Sequence, residues 1–190
     1  MATSFTGTDK ANLLSTALEA DSGDNIAITV DSDAVAQGLD EEDTIVLGED
    51  VTEFTAAGGT GSDSVLVSGL ATSSNIMGNR GDDTIRASGG INSSMLKGGL
   101  DSDTIFVTGD LDGASIFGGS GNDSITYEDS TGTIGNSLFQ SGSGNNKFTV
   151  NSQDFNSSTI EGGSGVDVIS LTAANEISKG IVKGSAGKDS

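Results

Sequence analysis

Aspartate recurs along this chain at a spacing that neither an α-helix nor a hairpin produces. Asp24, Asp43, Asp63, Asp83, Asp103 and Asp123 are followed by Asn146, Asp167 and Asp189, in steps of 19, 20, 20, 20, 20, 23, 21 and 22 residues. A period near 20 held over nine positions is that of stacked coils, where each repeat covers the apolar face of its neighbour. Two positions after the register residue stands an apolar side chain: Ile26, Ile45, Val65, Ile85, Ile105, Ile125, Phe148 and Ile169. Most have another two residues on, at Ile28, Leu47, Val67, Ala87, Val107, Tyr127, Val150 and Leu171. Period two marks a strand with one buried face. Seven positions before the register residue runs a second apolar series, Ile76, Leu96, Ile116, Phe139, Ile160 and Val182, with Ala36 and Ala56 as its small members. Each coil therefore has two short strands that face each other.

The joint between them is glycine-rich. GGTGSDSVL at 58–66, GNRGDDTIR at 78–86, GGLDSDTIF at 98–106, GGSGNDSIT at 118–126 and GGSGVDVIS at 162–170 are versions of one turn that leads into a strand. The other joint is looser, reading SGLATSSN from Ser68, SGGINSS from Ser88 and TGDLDGAS from Thr108, with Leu70, Ile91 and Leu111 placed to plug the far edge. The expected fold is an all-β parallel β-solenoid, β-roll-like, with about 20–22 residues per coil and about eight coils over residues 21–190. The 23-residue step fits an insertion near residues 131–137. Residues 1–20 do not carry the repeat; Thr8 or Asp9 is placed to cap a short helix with Leu13, Leu14, Ala17 and Leu18 on one face, as an end cap or a docking segment. At the other end GSAGKDS, 184–190, enters a further turn without its aliphatic residue, so the solenoid is expected to continue past Ser190.

GGxGxDxU, with U a large aliphatic, is the nonapeptide of the RTX, or hemolysin-type, calcium-binding repeats, and residues 58–66, 118–126 and 162–170 match it in full. The chain resembles that family well over 58–190 and loosely over 21–57. In the turn at 78 Asn79 replaces the second glycine, and in the turn at 98 Asp101 replaces the third; both types tolerate a left-handed backbone. The turn at 142–148 departs further, since Asn146 removes the charge and Lys147 adds an opposite one. The spacing also departs, with one nonapeptide per coil where a typical RTX β-roll has two. The resemblance implies Ca2+ held by Asp63, Asp83, Asp103, Asp123, Asp167 and Asp189, with the turn glycines Gly58, Gly61, Gly81, Gly118, Gly121 and Gly165. It also implies a secreted, extracellular or cell-surface protein exported without a cleaved N-terminal signal, its signal lying beyond Ser190.

Elementary electrostatics also favours a cation. Stacked at strand spacing, two carboxylates about 5 Å apart repel by about 3 kcal/mol at an effective dielectric of about 20. A divalent ion relieves the repulsion by taking a carboxylate from each neighbouring turn and carbonyls from the glycine bends. The bland alternative is that each aspartate caps its own turn through backbone N–H groups.

The net charge of -20, from 28 acidic and 8 basic residues, excludes nucleic acid as a partner, and no apolar run is long enough for membrane insertion. Paired acids such as Glu41 and Glu42 or Asp82 and Asp83 sit in repeated turns, with no histidine in the chain, so no enzyme is expected. The Thr44, Ser64, Thr84, Thr104, Ser124 column lies beside Val46, Leu66, Arg86, Phe106 and Thr126, which reads as an exposed sheet face with one apolar patch. The expected function is a calcium-stabilised structural or surface-assembly protein, resembling bacterial surface-layer, adhesin and appendage proteins such as those of cyanobacteria. Its expected partners are further copies of itself and cell-surface polysaccharide. The alternative is a calcium-folding accessory region of a larger secreted enzyme, toxin or adhesin.

Overall fold

The computed structural model describes residues 2–6, 13–14, 25–29, 35–38 and 40–190. Every strand pairing among them is parallel. They build a β-solenoid with one sheet of 13 strands and one of 9. Nine strands make eight steps of about 4.8 Å, an axis of about 40 Å.

The coil of Asp83 shows the plan. Strand Asn75–Arg80 lies in the smaller sheet, the glycine turn reverses the chain, and Thr84–Ala87 returns in the larger sheet. A bend leads to the two-residue strand Ile91–Asn92, also in the larger sheet, and a second bend starts the next coil at Met95. From Ser124 onward the two arms of the larger sheet fuse into single long strands, Ser124–Gly135, Lys147–Asn156 and Val168–Ser178. The inserted residues form a register shift between Asp129 and Thr133, overlapping the start of the expected segment.

Both apolar series face inward in register. Ile76 aligns with Leu96, Ile116, Phe139, Ile160 and Val182 in turn, and Ile85 with Val65 and Ile105. All but the last are essentially inaccessible; Val182, on a strand with one neighbour, is 49% exposed. The far edge differs from expectation at one position. The column there is Val51, Ala71, Ile91, Leu111 and Ile134, all buried, so Ala71 takes the place expected for Leu70. Leu70 falls one residue early, in line with Gly90 and Asp110, and lies against the surface over Gly90.

Among the described residues the expected N-terminal helix is replaced by strands. Leu13–Leu14 is a short strand paired with Val35 and Ala36, and Ala2–Thr6 pairs with Asn25–Thr29. The edge of a parallel ladder presents unpaired N–H and C=O groups, which a further strand satisfies and a helix does not. Thr8, Asp9, Ala17 and Leu18 lie outside the described residues.

Candidate metal centre

The register residues form one continuous ladder inside the solenoid. Asp63 Oδ1 accepts the N–H of Asp43 at 2.7 Å, Asp83 that of Asp63 at 2.8 Å, Asp103 that of Asp83 at 2.9 Å and Asp123 that of Asp103 at 2.9 Å. The series continues through Asn146, Asp167 and Asp189. Each side chain thus caps the turn of the preceding coil, whereas a simple turn aspartate caps its own. The carboxylates are buried, with Asp63, Asp83, Asp103, Asp123 and Asp167 all at 3% exposure or less. Asp189, in the last turn, is only partly buried.

The turn glycines divide the work. A Cβ on Gly58 would stand 2.4 Å from Asp63 Oδ2, and one on Gly118 2.4 Å from Asp123 Oδ2, so the first glycine makes room for the carboxylate of its own turn. The later glycine carries the left-handed bend. Gly81, at φ 111°, rests on the Gly61 carbonyl, where a Cβ would approach to 1.9 Å, and Gly61, Gly121 and Gly165 repeat the contact on the coil before them. Asn79 (φ 91°) and Asp101 (φ 77°) hold the same conformation without glycine.

With Oδ1 committed to the ladder, Oδ2 of Asp63, Asp83, Asp103, Asp123 and Asp167 is buried and makes no hydrogen bond. A buried carboxylate oxygen left so is costly unless a proton or a cation meets it. At two turns a carbonyl lies close to this oxygen. The place that a Cβ would take on Gly118 is 2.4 Å from Asp123 Oδ2 and 2.7 Å from the Ser141 carbonyl, and that on Gly162 is 2.5 Å from Asp167 Oδ2 and 2.7 Å from the Gly184 carbonyl. A carboxylate oxygen and a carbonyl of the next coil converge at each place. Oxygen-only surroundings of this kind fit a hard cation. Among the described residues no three acidic side chains gather at one point, so such an ion would take one or two carboxylates and otherwise peptide carbonyls.

Burial dominates the titration of the column. It pushes Asp63, Asp83 and Asp123 up to about 6 and Asp103 up to about 7, against the N–H bond from the preceding aspartate, which favours the charged form. Neighbouring carboxylates add to the rise at Asp63, Asp83 and Asp103.

The corner opposite is also built, which the loose sequence there did not announce. Ser74, Ser94, Ser137 and Ser158 form a second inner ladder, each hydroxyl accepting an N–H from the preceding coil and donating to the carbonyl two residues back. The residue before each serine, or before Phe54 and Ala114 where the ladder lacks one, has positive φ. On the outer face Val46, Leu66 and Phe106 are half-buried, and the Arg86 guanidinium stacks over the Phe106 ring at 4.3 Å from its centroid. Comparison of the chain with models of protein families, with curated proteins and with solved structures found no match, so the aspartate ladder stands on its own geometry.

Proposed function

We propose that the chain is a non-enzymatic, calcium-stabilised structural module of the cell exterior that assembles with copies of itself. The observation that carries this reading is the column of buried Oδ2 atoms, unpartnered at Asp63, Asp83, Asp103, Asp123 and Asp167, with a carbonyl of the next coil close to those of Asp123 and Asp167. Asp189, whose Oδ1 accepts the Asp167 N–H, extends the column by one more turn. Calcium takes six to eight oxygens in flexible geometry and needs no nitrogen or sulfur, which suits this donor set. Sites of modest affinity fill where calcium is abundant, as it is outside cells.

Among the described residues no three acidic side chains gather at one point, which supports a structural role over catalysis. A net charge of -20 favours cations and disfavours nucleic acid. Among the described residues no helix is long and apolar enough to cross a membrane. Copies of this chain are the first partner proposed, meeting through the face of Val46, Leu66 and Phe106, and cell-surface polysaccharide is the second. Bound divalent ions would lower the charge that keeps copies apart.

The test is thermal melting by circular dichroism in calcium and in chelator. A ligand confined to the folded state adds about 2.7 kcal/mol per site at a hundredfold excess over its dissociation constant. The chelated protein is expected to melt well below the loaded one. Equal melting temperatures would reject the proposal.

A further inference from the structure

One coil meets its inward oxygens with hydrogens of its own. In the turn of Asn146 the first glycine is replaced by Ser141, which is fully buried, and the aspartate by the amide. Asn146 Oδ1 accepts the Asp123 N–H at 2.8 Å, which fixes the orientation of the amide. Its Nδ2 then donates to the Gly144 carbonyl at 3.2 Å and to Asp167 Oδ1 at 3.0 Å. The Ser141 hydroxyl donates to the Gly162 carbonyl. That carbonyl belongs to the first glycine of the next coil, the same place in the repeat as the carbonyls that converge with Oδ2 beside Gly38 and Gly162. Beside Gly118 and Gly162 the equivalent carbonyls lie close to a buried carboxylate oxygen that makes no hydrogen bond.

We infer that Ser141 and Asn146 together stand in for the cation in their coil, and so divide the column into two separately loaded stretches. One runs from Asp63 to Asp123 and the other holds Asp167 and Asp189. The pair supplies three polar hydrogens to three oxygens, doing from the chain what an ion does elsewhere, and it leaves that coil closed without metal. Restoring the aspartate alone would set its carboxylate against the Ser141 Cβ, as a Cβ on Gly118 would stand 2.4 Å from Asp123 Oδ2, so the two departures from the repeat fit each other. This inference rests on the calcium reading above.

The experiment uses the full chain, with bound calcium measured by titration calorimetry and melting followed in chelator. Ser141→Gly with Asn146→Asp rebuilds the turn of the other coils; it is expected to take up one more calcium per chain and to melt lower than wild type in chelator. Gly98→Ser with Asp103→Asn makes the converse change, and is expected to take up at least one calcium fewer and to melt higher than wild type in chelator. A wild type that binds calcium while the Ser141→Gly, Asn146→Asp variant binds no more overturns the inference alone, whereas wild-type uptake in the converse variant removes Asp103 from the calcium reading and overturns the inference with it. A wild type that binds no calcium overturns the calcium reading and the inference with it.

Discussion

A methyl group added at Gly78 tests whether the inward carboxylate is what holds the turns together. A Cβ there would lie 2.1 Å from Asp83 Oδ2 and 2.6 Å from both its Cβ and Cγ. The obstacle cannot swing away, because Asp83 is 2% exposed and its Oδ1 is held by the Asp63 N–H at 2.8 Å. Displacing the carboxylate leaves that N–H buried and unpaired, a loss of about 1–3 kcal/mol. Overpacking adds about 1–3 kcal/mol. Gly78→Ala should therefore destabilise by about 2–6 kcal/mol, and about 2–4 °C of melting temperature follows each kcal/mol in a chain of this size. Gly48→Ala is the control, since a Cβ there meets nothing within 4 Å, and it should stay within about 0.5 kcal/mol of wild type. Adding Asp83→Ala removes the obstacle, so the double variant should lose little more than Asp83→Ala alone, a coupling that a double-mutant cycle reads directly. Melting curves with matched calcium measure all four. If Gly78→Ala melts with Gly48→Ala, the carboxylate does not sit where the turn requires it.

Acidity should substitute for metal in the chelated protein. Asp63, Asp83 and Asp123 titrate at about 6 and Asp103 at about 7 when folded, against 3.8 ordinarily. The folded state thus holds these protons more tightly than the unfolded chain, so their contribution is complete below about pH 3.8 and is lost as pH rises through 6 to 7. A rise from 3.8 to about 6 corresponds to about 3 kcal/mol for one carboxylate, and chelated samples should melt lower at pH 8 than at pH 5; a melting temperature that rises across that interval contradicts the burial of the column. Ser94→Ala, which leaves the Ser74 N–H without its 2.8 Å acceptor, should lower stability by about 1–2 kcal/mol in denaturant titrations, with or without calcium. No effect would mean that the second ladder is ornamental. Leu66→Asp with Phe106→Asp should abolish calcium-dependent growth in light scattering while leaving the circular dichroism spectrum unchanged, and undiminished growth would remove that face from the assembly.

The aspartate period and the two apolar series were legible because stacking forces each coil to repeat the residue that its neighbour contacts. Ile85, Leu96 and Ile116 stand where their spacing placed them. Even the exceptions were readable, as Asn79 and Asp101 keep the positive φ of the glycines they replace. The direction of the carboxylate was not. Spacing says that aspartates form a column, but whether they cap their own turn or reach to the coil before them depends on the bend at Gly78 and Gly81, which only the folded turn displays. The serine ladder escaped because serine is common in this chain and because Phe54 and Ala114 interrupt its column. Leu70 misled for a related reason, as the larger side chain drew attention from Ala71, which holds the buried position. The helix expected near Leu13 rested on a short apolar face, and short helices are marginal without packing.

Adjacent residues in the glycine turn bind opposite neighbours. Ser102 N–H donates back to Asp82 Oδ1 at 2.8 Å, while the next residue, Asp103, donates forward to Asp123 Oδ1 at 2.9 Å. The outer series continues from Ser102 to Asn122, Asn145 and Val166, every N–H reaching back by one coil. Side chains thereby prolong around the corner the pattern that backbone groups make within the sheets, where successive N–H groups also face opposite strands. No turn is complete without the coils on both sides of it, so stability resides in the contacts between coils and each coil is cooperative with its neighbours. The two series differ in strength, because the outer one is wetted and the inner one is dry, where an unmatched group is most costly. Charge in the inner series therefore stands where it must be answered, while that of Asp82 in the outer series is open to water, and in the coil of Asn145 and Asn146 both series are carried by amides. That coil joins the two charged stretches through the amide and hydroxyl hydrogens of Asn146 and Ser141, which hold it in register with the coil that follows.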